Sequence, residues 1–224
     1  HRSAAFMDLH ESTVSALKKH LYIPSNYSVY FVSSATECWE ILSQDLSKLK
    51  NLHLYNGAFG EKWYQYNHRL NPSSTHAYSF HPEDSIPIDG ITQISPDVIH
   101  ITQNETSNGT QLSYHDIKKI RTTYTNAFIT VDATSSLGGQ VLNITDADVW
   151  FASVQKCFGL PAGMAILICS DKIIDYCKKN TAHFYNSIPK QEEQYRKKQT
   201  THTPNVLGIY LLYRSIVDRN VLDD

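Results

Sequence analysis

Asp132 and Lys156 pair a carboxylate with an amine at the ends of two apolar runs. Asp132 closes Ala127-Phe128-Ile129-Thr130-Val131, and Lys156 lies just past Val149-Trp150-Phe151-Ala152-Ser153. Both runs have the length and the β-branched and aromatic content of buried strands. A carboxylate and an amine held there suit a cationic heteroaromatic ring fixed between them. The carboxylate keeps a ring nitrogen protonated, which strengthens an electron sink, and the amine forms an imine. The same two residues could instead make a structural ion pair at a sheet edge, which is common and contributes little.

Other polar clusters sit at comparable places: Ser33-Ser34-Ala35-Thr36, Asn104-Glu105-Thr106-Ser107-Asn108-Gly109, and Gln155 beside Lys156. In a parallel α/β sheet, functional groups gather at the carboxyl ends of the strands. The first cluster is a small-residue turn between a strand and a helix. That arrangement presents backbone N–H groups to a phosphate, although an ordinary tight connection reads the same way.

The groups that other chemistries need are missing. The eleven histidines form no HExxH or paired-ligand pattern, and Cys38, Cys157, Cys169 and Cys177 make no CxxC pair. No metal site is expected, and the thiols read as reduced in a cytoplasmic protein. A formal net charge of -2 gives no electrostatic case for nucleic acid or an anionic membrane. The longest apolar run, residues 164–169, has strand length and is far short of a membrane span. Sequons at Asn26, Asn104, Asn108 and Asn143 are read as chance in a chain rich in Asn and Thr with no visible signal peptide.

The elements that must position these clusters alternate along the chain. Phe6, Met7, Val14, Leu17 and Leu21 share one face of a helix that ends before Pro24. Strands are expected at 28–32, 53–55, 98–102, 127–131, 149–153 and 165–168, and helices at about 37–42, 61–69 and 114–124. The charged run at 190–198 reads as a solvated helix or loop. The pattern predicts an α/β fold with a mostly parallel sheet and helices on both faces. With 224 residues, the chain can bury one large domain, or one plus part of another. It begins at His1 rather than methionine and stops at Asp224 directly after a helical pattern, so both ends read as cut.

The run Asp148-Val149-Trp150-Phe151-Ala152-Ser153-Val154-Gln155-Lys156-Cys157-Phe158-Gly159-Leu160-Pro161-Ala162-Gly163 closely resembles the lysine segment of phosphoserine aminotransferases, which belong to the class V aminotransferases. Val131-Asp132-Ala133-Thr134-Ser135-Ser136 resembles their pyridine-binding strand end, and residues 104–109 the turn near the ring. His1-Arg2-Ser3 is similar to a His-Arg segment that precedes a helix in that family, and His202-Thr203-Pro204 to its Asn-Thr-Pro motif. The five matches keep the family's order from residue 1 to residue 204.

The resemblance implies the large domain of a fold-type-I enzyme dependent on pyridoxal 5′-phosphate. Residues 1–20 would be a helical segment continuing into it, 21–205 the cofactor-binding domain, and 206–224 the start of a helix leading to a missing small C-terminal domain. Lys156 would hold the cofactor as a Schiff base and act as general acid and base, with Asp132 as the pyridinium partner. Thr106 would reach the phenolic oxygen, and Thr134 and Gln155, with Ala35 and Thr36, would hold the phosphate. Phe59 would stack on the ring, where the family usually has tryptophan. His202 and Thr203 would reach the phosphate of the neighbouring subunit's cofactor, which implies a symmetric homodimer. His1 and Arg2 would meet the distal anionic group of the substrate, a role that suits a guanidinium. The implied reaction is transamination between phosphoserine or 3-phosphohydroxypyruvate and glutamate or 2-oxoglutarate in serine biosynthesis, using small amino acid and 2-oxo acid substrates.

Plainer readings stand beside these: core packing for Phe59, and a solvated chain end for His1 and Arg2. The sequence also departs from the family. Ser33-Ser34-Ala35-Thr36 replaces a glycine-rich turn, His202 replaces asparagine, and Glu37 stands where some relatives carry a basic residue. Pointing inward, Glu37 would repel a phosphorylated substrate; pointing outward, it is an ordinary first-turn glutamate. None of Arg69, Arg121, Arg196, Arg214 and Arg219 matches the family's α-carboxylate arginine. Two alternatives stay open: another class V aminotransferase or a lyase with a different amino donor, and a non-catalytic protein that retains the fold. Phe59 argues against a cysteine desulfurase, which needs a histidine over the ring, and the presence of Lys156 and Asp132 argues against the scaffold.

Overall fold

The computed structural model describes residues 2–86, 88–180 and 184–223. In chain order the elements are α1 (Ala4–His20), β1 (Tyr27–Val32), α2 (Ala35–Asp45), β2 (Asn51–Tyr55), α3 (Ala58–Leu70), β3 (Thr75–Ser79), β4 (Val98–Thr102), β5 (Asn104–Glu105), β6 (Thr110–Gln111), α4 (Tyr114–Thr123), β7 (Phe128–Asp132), β8 (Val149–Ser153), β9 (Ala165–Ser170), α5 (Asp171–Asn180), α6 (Ile188–Tyr195) and α7 (Val206–Asp223). Seven strands form one sheet in the order β1-β9-β8-β7-β4-β2-β3. From β8 to β3 all pairings are parallel, whereas β9 runs antiparallel to both β8 and β1. The expected mostly parallel sheet is present, with β9 as its one reversed strand. Residues 154–164 join β8 to β9 and are too few for a parallel crossover, so β9 must return alongside β8.

Period-two alternation divides the core between the two faces of the sheet. Val29, Phe31, Trp150, Ala152, Ile166 and Ile168 pack on α1, α4 and α7 through Leu17, Ile117, Ile209 and Leu212. Tyr30, Val32, Val149, Phe151 and Leu167 pack on α2, α3, α5 and α6 through Leu42, Trp63, Ile174 and Ile188. Each fully buried Leu or Ile contributes about 2 kcal/mol of transfer free energy, enough to fix which face each helix covers.

Side-chain caps set the helix starts. Ser3, Ser34, Ser113 and Ser187 each accept an N–H from the residue three positions on. The Ser34 cap starts α2 at Ala35, earlier than the apolar pattern alone implies. The charged run is only partly solvated. It begins within α6, where Gln191 and Glu192 are buried and Glu192 accepts from Tyr30 Oη at 2.9 Å and Arg196 Nε at 2.6 Å. Ile209, Leu212 and Ile216 of α7 lie in the same core as α1. Among the described residues, no helix is long and apolar enough to cross a membrane, and no group of three metal-ligating side chains occurs.

Candidate active site

Thr102, Asp132 and Ser153 are the last residues of β4, β7 and β8, which lie side by side. Thr102 pairs with Asp132 and Asp132 with Phe151, so alternation puts Thr102, Asp132 and Ser153 on the α2–α3 face. All three line a cleft of about 190 Å³ at the carboxyl ends of the parallel strands. Lys156 and Gln155 enter it from the β8–β9 loop, Thr134 and Ser135 from the turn after β7. Thr106 and Asn104 come from the β5–β6 hairpin, Phe59 from α3, and Ala35 and Thr36 from the first turn of α2. Eight residues singled out from the sequence thus converge in one place: Lys156, Asp132, Thr106, Thr134, Gln155, Phe59, Ala35 and Thr36.

Asp132 is buried, and each of its oxygens has a donor. Thr134 N donates to Oδ1 at 3.0 Å, and Trp39 Nε1 donates to Oδ2 at 3.0 Å. Burial pushes its carboxyl above the ordinary carboxylate value; the hydrogen bonds from Thr134 and Trp39 oppose this, and the charge of Glu105 adds to it.

The first turn of α2 faces the cleft because Ser34 caps the helix there, accepting from Glu37 N at 3.0 Å. Glu37 does not point into the cleft. Its carboxylate folds back on Ser33, accepting from N and Oγ at 2.5 Å each, and accepts from Asn186 Nδ2 at 2.7 Å. The first-turn reading of Glu37 is the one the geometry supports.

Phe59 is 46% exposed on the cleft, in the first turn of α3. The Gly57 N-cap of α3 has no side chain to offer, so the hairpin after β4 caps the helix instead. Glu105 accepts from Gly60 N at 3.0 Å and Phe59 N at 3.4 Å, and Ser107 Oγ accepts from Ala58 N at 2.9 Å. Position 57 admits only glycine because a Cβ there would stand 2.3 Å from Glu105 Cγ.

The loop carrying Lys156 is braced from below. Gly159 N donates to Lys156 O at 3.0 Å, and Leu160 N to Val154 O at 3.2 Å. From α7, Arg219 Nη2 donates to Cys157 O at 2.6 Å, and Ser215 Oγ to Phe158 O at 3.1 Å. The Lys156 side chain itself is exposed at the cleft.

Arg2, His202 and Thr203 are not among the residues that line this cleft, and His1 lies outside the described residues. The sequence reading missed Trp39, Thr102 and Ser153 as cleft residues, and Glu105 as the cap. Trp39 had a usable signal: it lies three and four positions after Thr36 and Ala35, the spacing of one helix face. Thr102 and Ser153 could have been found as strand-end neighbours of Asp132, once the strand order was known.

Sheet order, reversed strand and strand-end cleft describe one class of protein. The Aminotransferase class-V family matches residues 63–217, and the chain belongs to that family. Among curated relatives, a phosphoserine aminotransferase of Rhodococcus opacus is 29% identical over 222 residues, covering 96% of this chain and 58% of that protein. An uncharacterized aminotransferase of Methanocaldococcus jannaschii is 28% identical over 226 residues, 95% of this chain and 57% of that one. A solved phosphoserine aminotransferase from Cytophaga hutchinsonii is 35% identical and superposes with a TM-score of 0.87, over 99% of this chain and 63% of the other. Ureidoglycine-glyoxylate aminotransferase from Bacillus subtilis, 20% identical with a TM-score of 0.78, shares the fold. The chain therefore spans less than two thirds of the length of each of these proteins.

Proposed function

We propose that this chain carries the cofactor cleft of a pyridoxal-phosphate-dependent aminotransferase working between phosphoserine or 3-phosphohydroxypyruvate and glutamate or 2-oxoglutarate. The observation that carries the reading is the convergence of Asp132 and Lys156, from neighbouring strand ends, in one cleft with Phe59 and the start of α2. The residues present fit the cofactor. Thr102 Oγ1 and Asn104 Oδ1 are buried in the cleft wall with no partner among the described residues, which leaves polar atoms for a polar ligand. The donor set has an amine, a carboxylate, an aromatic ring and a helix N-terminus, which match an aldehyde, a pyridine nitrogen, a ring face and a phosphate.

In this reading the bound cofactor supplies the electron sink for the bond to the substrate Cα. Asp132 accepts the ring N–H and keeps that nitrogen charged. Phe59 covers one ring face and excludes water from it. Thr134, Gln155 and the first turn of α2 hold the phosphate, and Thr106 reaches the phenolic oxygen. Lys156 holds the cofactor and, once its amine is free, moves the proton at the substrate Cα. Arg2, with His1, receives the distal anionic end of the substrate, and His202 and Thr203 complete the phosphate site of a second subunit. The support for these last roles is the family resemblance of the two segments.

The test is to load the protein with pyridoxal phosphate, reduce with borohydride and map the labelled peptide. Label on Lys156, followed by amino-donor screening for conversion to the pyridoxamine form, is the expected result. Label elsewhere, or none, would overturn the reading.

A further inference from the structure

We infer that Trp39 is a positioning residue for Asp132: its indole N–H holds the carboxylate in the orientation and the charged state that a protonated pyridine nitrogen requires. The inference rests on the cofactor reading above and concerns a contact no sequence motif marks. Trp39 lies on α2, and Asp132 ends β7, 93 positions along the chain. The bond is 3.0 Å long, buried, and made to Oδ2, while Oδ1 is held by Thr134 N.

An indole N–H can only donate, so it stabilises the carboxylate more than the protonated acid, whose oxygens accept more weakly. That matters because burial works the other way on this group. A neutral Asp132 would leave the ring nitrogen without its counter-charge and weaken the electron sink. The indole is also fixed. It stacks on Trp63 with ring centroids 6.2 Å apart and planes 9° from parallel, and its 5% exposure leaves no room to swing. Ala35 and Thr36, one turn earlier on the same helix face, line the same cleft and in the cofactor reading hold the phosphate. One rigid helix therefore touches both ends of the site and sets the spacing between them.

The rival explanation is that Trp39 merely fills the core. The experiment uses the full-length protein with pyridoxal phosphate labelled with nitrogen-15 in the ring. It compares the wild type, Trp39→Phe, a Trp39 replacement by benzothienylalanine that keeps the indole's shape without its N–H, and Trp150→Phe. Loss of the N–H is expected to move the ring-nitrogen signal toward the unprotonated form. It is also expected to weaken cofactor binding by about tenfold, the effect of one hydrogen bond to a charged group. Trp150→Phe, an equal truncation of a buried tryptophan on the opposite face of the sheet, should lower the melting temperature without moving the ring-nitrogen signal. If Trp39→Phe fails to fold, the benzothienyl protein decides. A wild-type ring-nitrogen signal in the protein lacking the N–H overturns this inference alone. Failure of the wild type to take up the cofactor overturns the cofactor reading and this inference with it.

Discussion

Glu105 accepts the backbone N–H of Gly60 at 3.0 Å, so a buried carboxylate from the hairpin after β4 caps the helix that carries Phe59. Helix N-termini leave their first N–H groups unpaired, and Gly57 cannot cap them itself. Glu105→Ala should destabilise the fold by about 2 kcal/mol, since it orphans amides in a buried place. Denaturant midpoints would show this. A loss no larger than that of an exposed substitution such as Glu83→Ala would mean that solvent satisfies the amides and that Glu105 does not hold Phe59 in place.

Lys156→Ala should remove the borohydride-fixed label while leaving the fold nearly untouched. The side chain is exposed at the cleft, and such substitutions usually fall within about 0.5 kcal/mol. Cofactor held through its phosphate alone should still be displaced by inorganic phosphate. A covalent adduct retained in the variant would show that another amine takes the role.

Stability should fall as pH drops below neutrality. Burial lowers the pKa of His10 to about 4 and of His100 to about 3, and it holds His53 well below its ordinary value. Unfolded histidine takes up its proton near pH ~6.5. Between there and pH ~4 the unfolded chain binds more protons, so the folded state loses ground as pH falls. Asp45, raised to about 7 by burial, opposes this, because the folded chain keeps a proton that the unfolded one has released. Asp132, also raised, acts in the same sense. Three histidines outweigh the two opposing carboxylates, so the folded state still loses stability toward acid near pH ~5. Urea unfolding at a series of pH values measures it, and His10→Phe should flatten the slope. Stability that is constant or rises toward acid would contradict the assignment of neutral buried histidines.

Subunits that each lack a different part should complement one another. In a mixed dimer of Thr203→Ala and Lys156→Ala chains, one site has an intact lysine and an intact partner loop. Activity above both parents is the expected result. If mixed dimers form and remain inactive, the shared site is wrong.

The 224-residue chain should bind the cofactor yet transaminate poorly. Two anionic substrate ends need two fixed cations, and the arginines after Arg2 are engaged elsewhere. Arg121 pairs with Asp148, Arg196 with Glu192 and Arg214 with Asp218; Arg219 donates to Cys157 O, and Arg69 lies over the Tyr66 ring. None lines the cleft. A misplaced substrate forfeits orientation, on the order of several kcal/mol in the barrier. Comparing this chain with one extended at both ends, on the same donor and acceptor, checks the point. Equal turnover would mean that one of these arginines leaves its partner to bind substrate.

The sequence by itself determined the local pieces. Apolar runs of strand length ending in Asp132 and near Lys156, the small-residue turn at 33–36 and the motif around Lys156 are all set within a few residues. The alternation of strands and helices was legible for the same reason: periodicity is a local signal. Weak local signals were lost. β3 is an edge strand with mostly exposed or half-buried residues, and α6 hides Gln191 and Glu192 inside a charged run. Only the tertiary structure decided which strand ends stand together, that β9 runs backwards, and that Trp39 and Glu105 serve residues 93 and 45 positions away. The Trp39 and Glu105 pairings depend on which buried polar group must find a partner once the sheet has closed, and such a group takes the nearest donor or acceptor in space, whatever its distance along the chain.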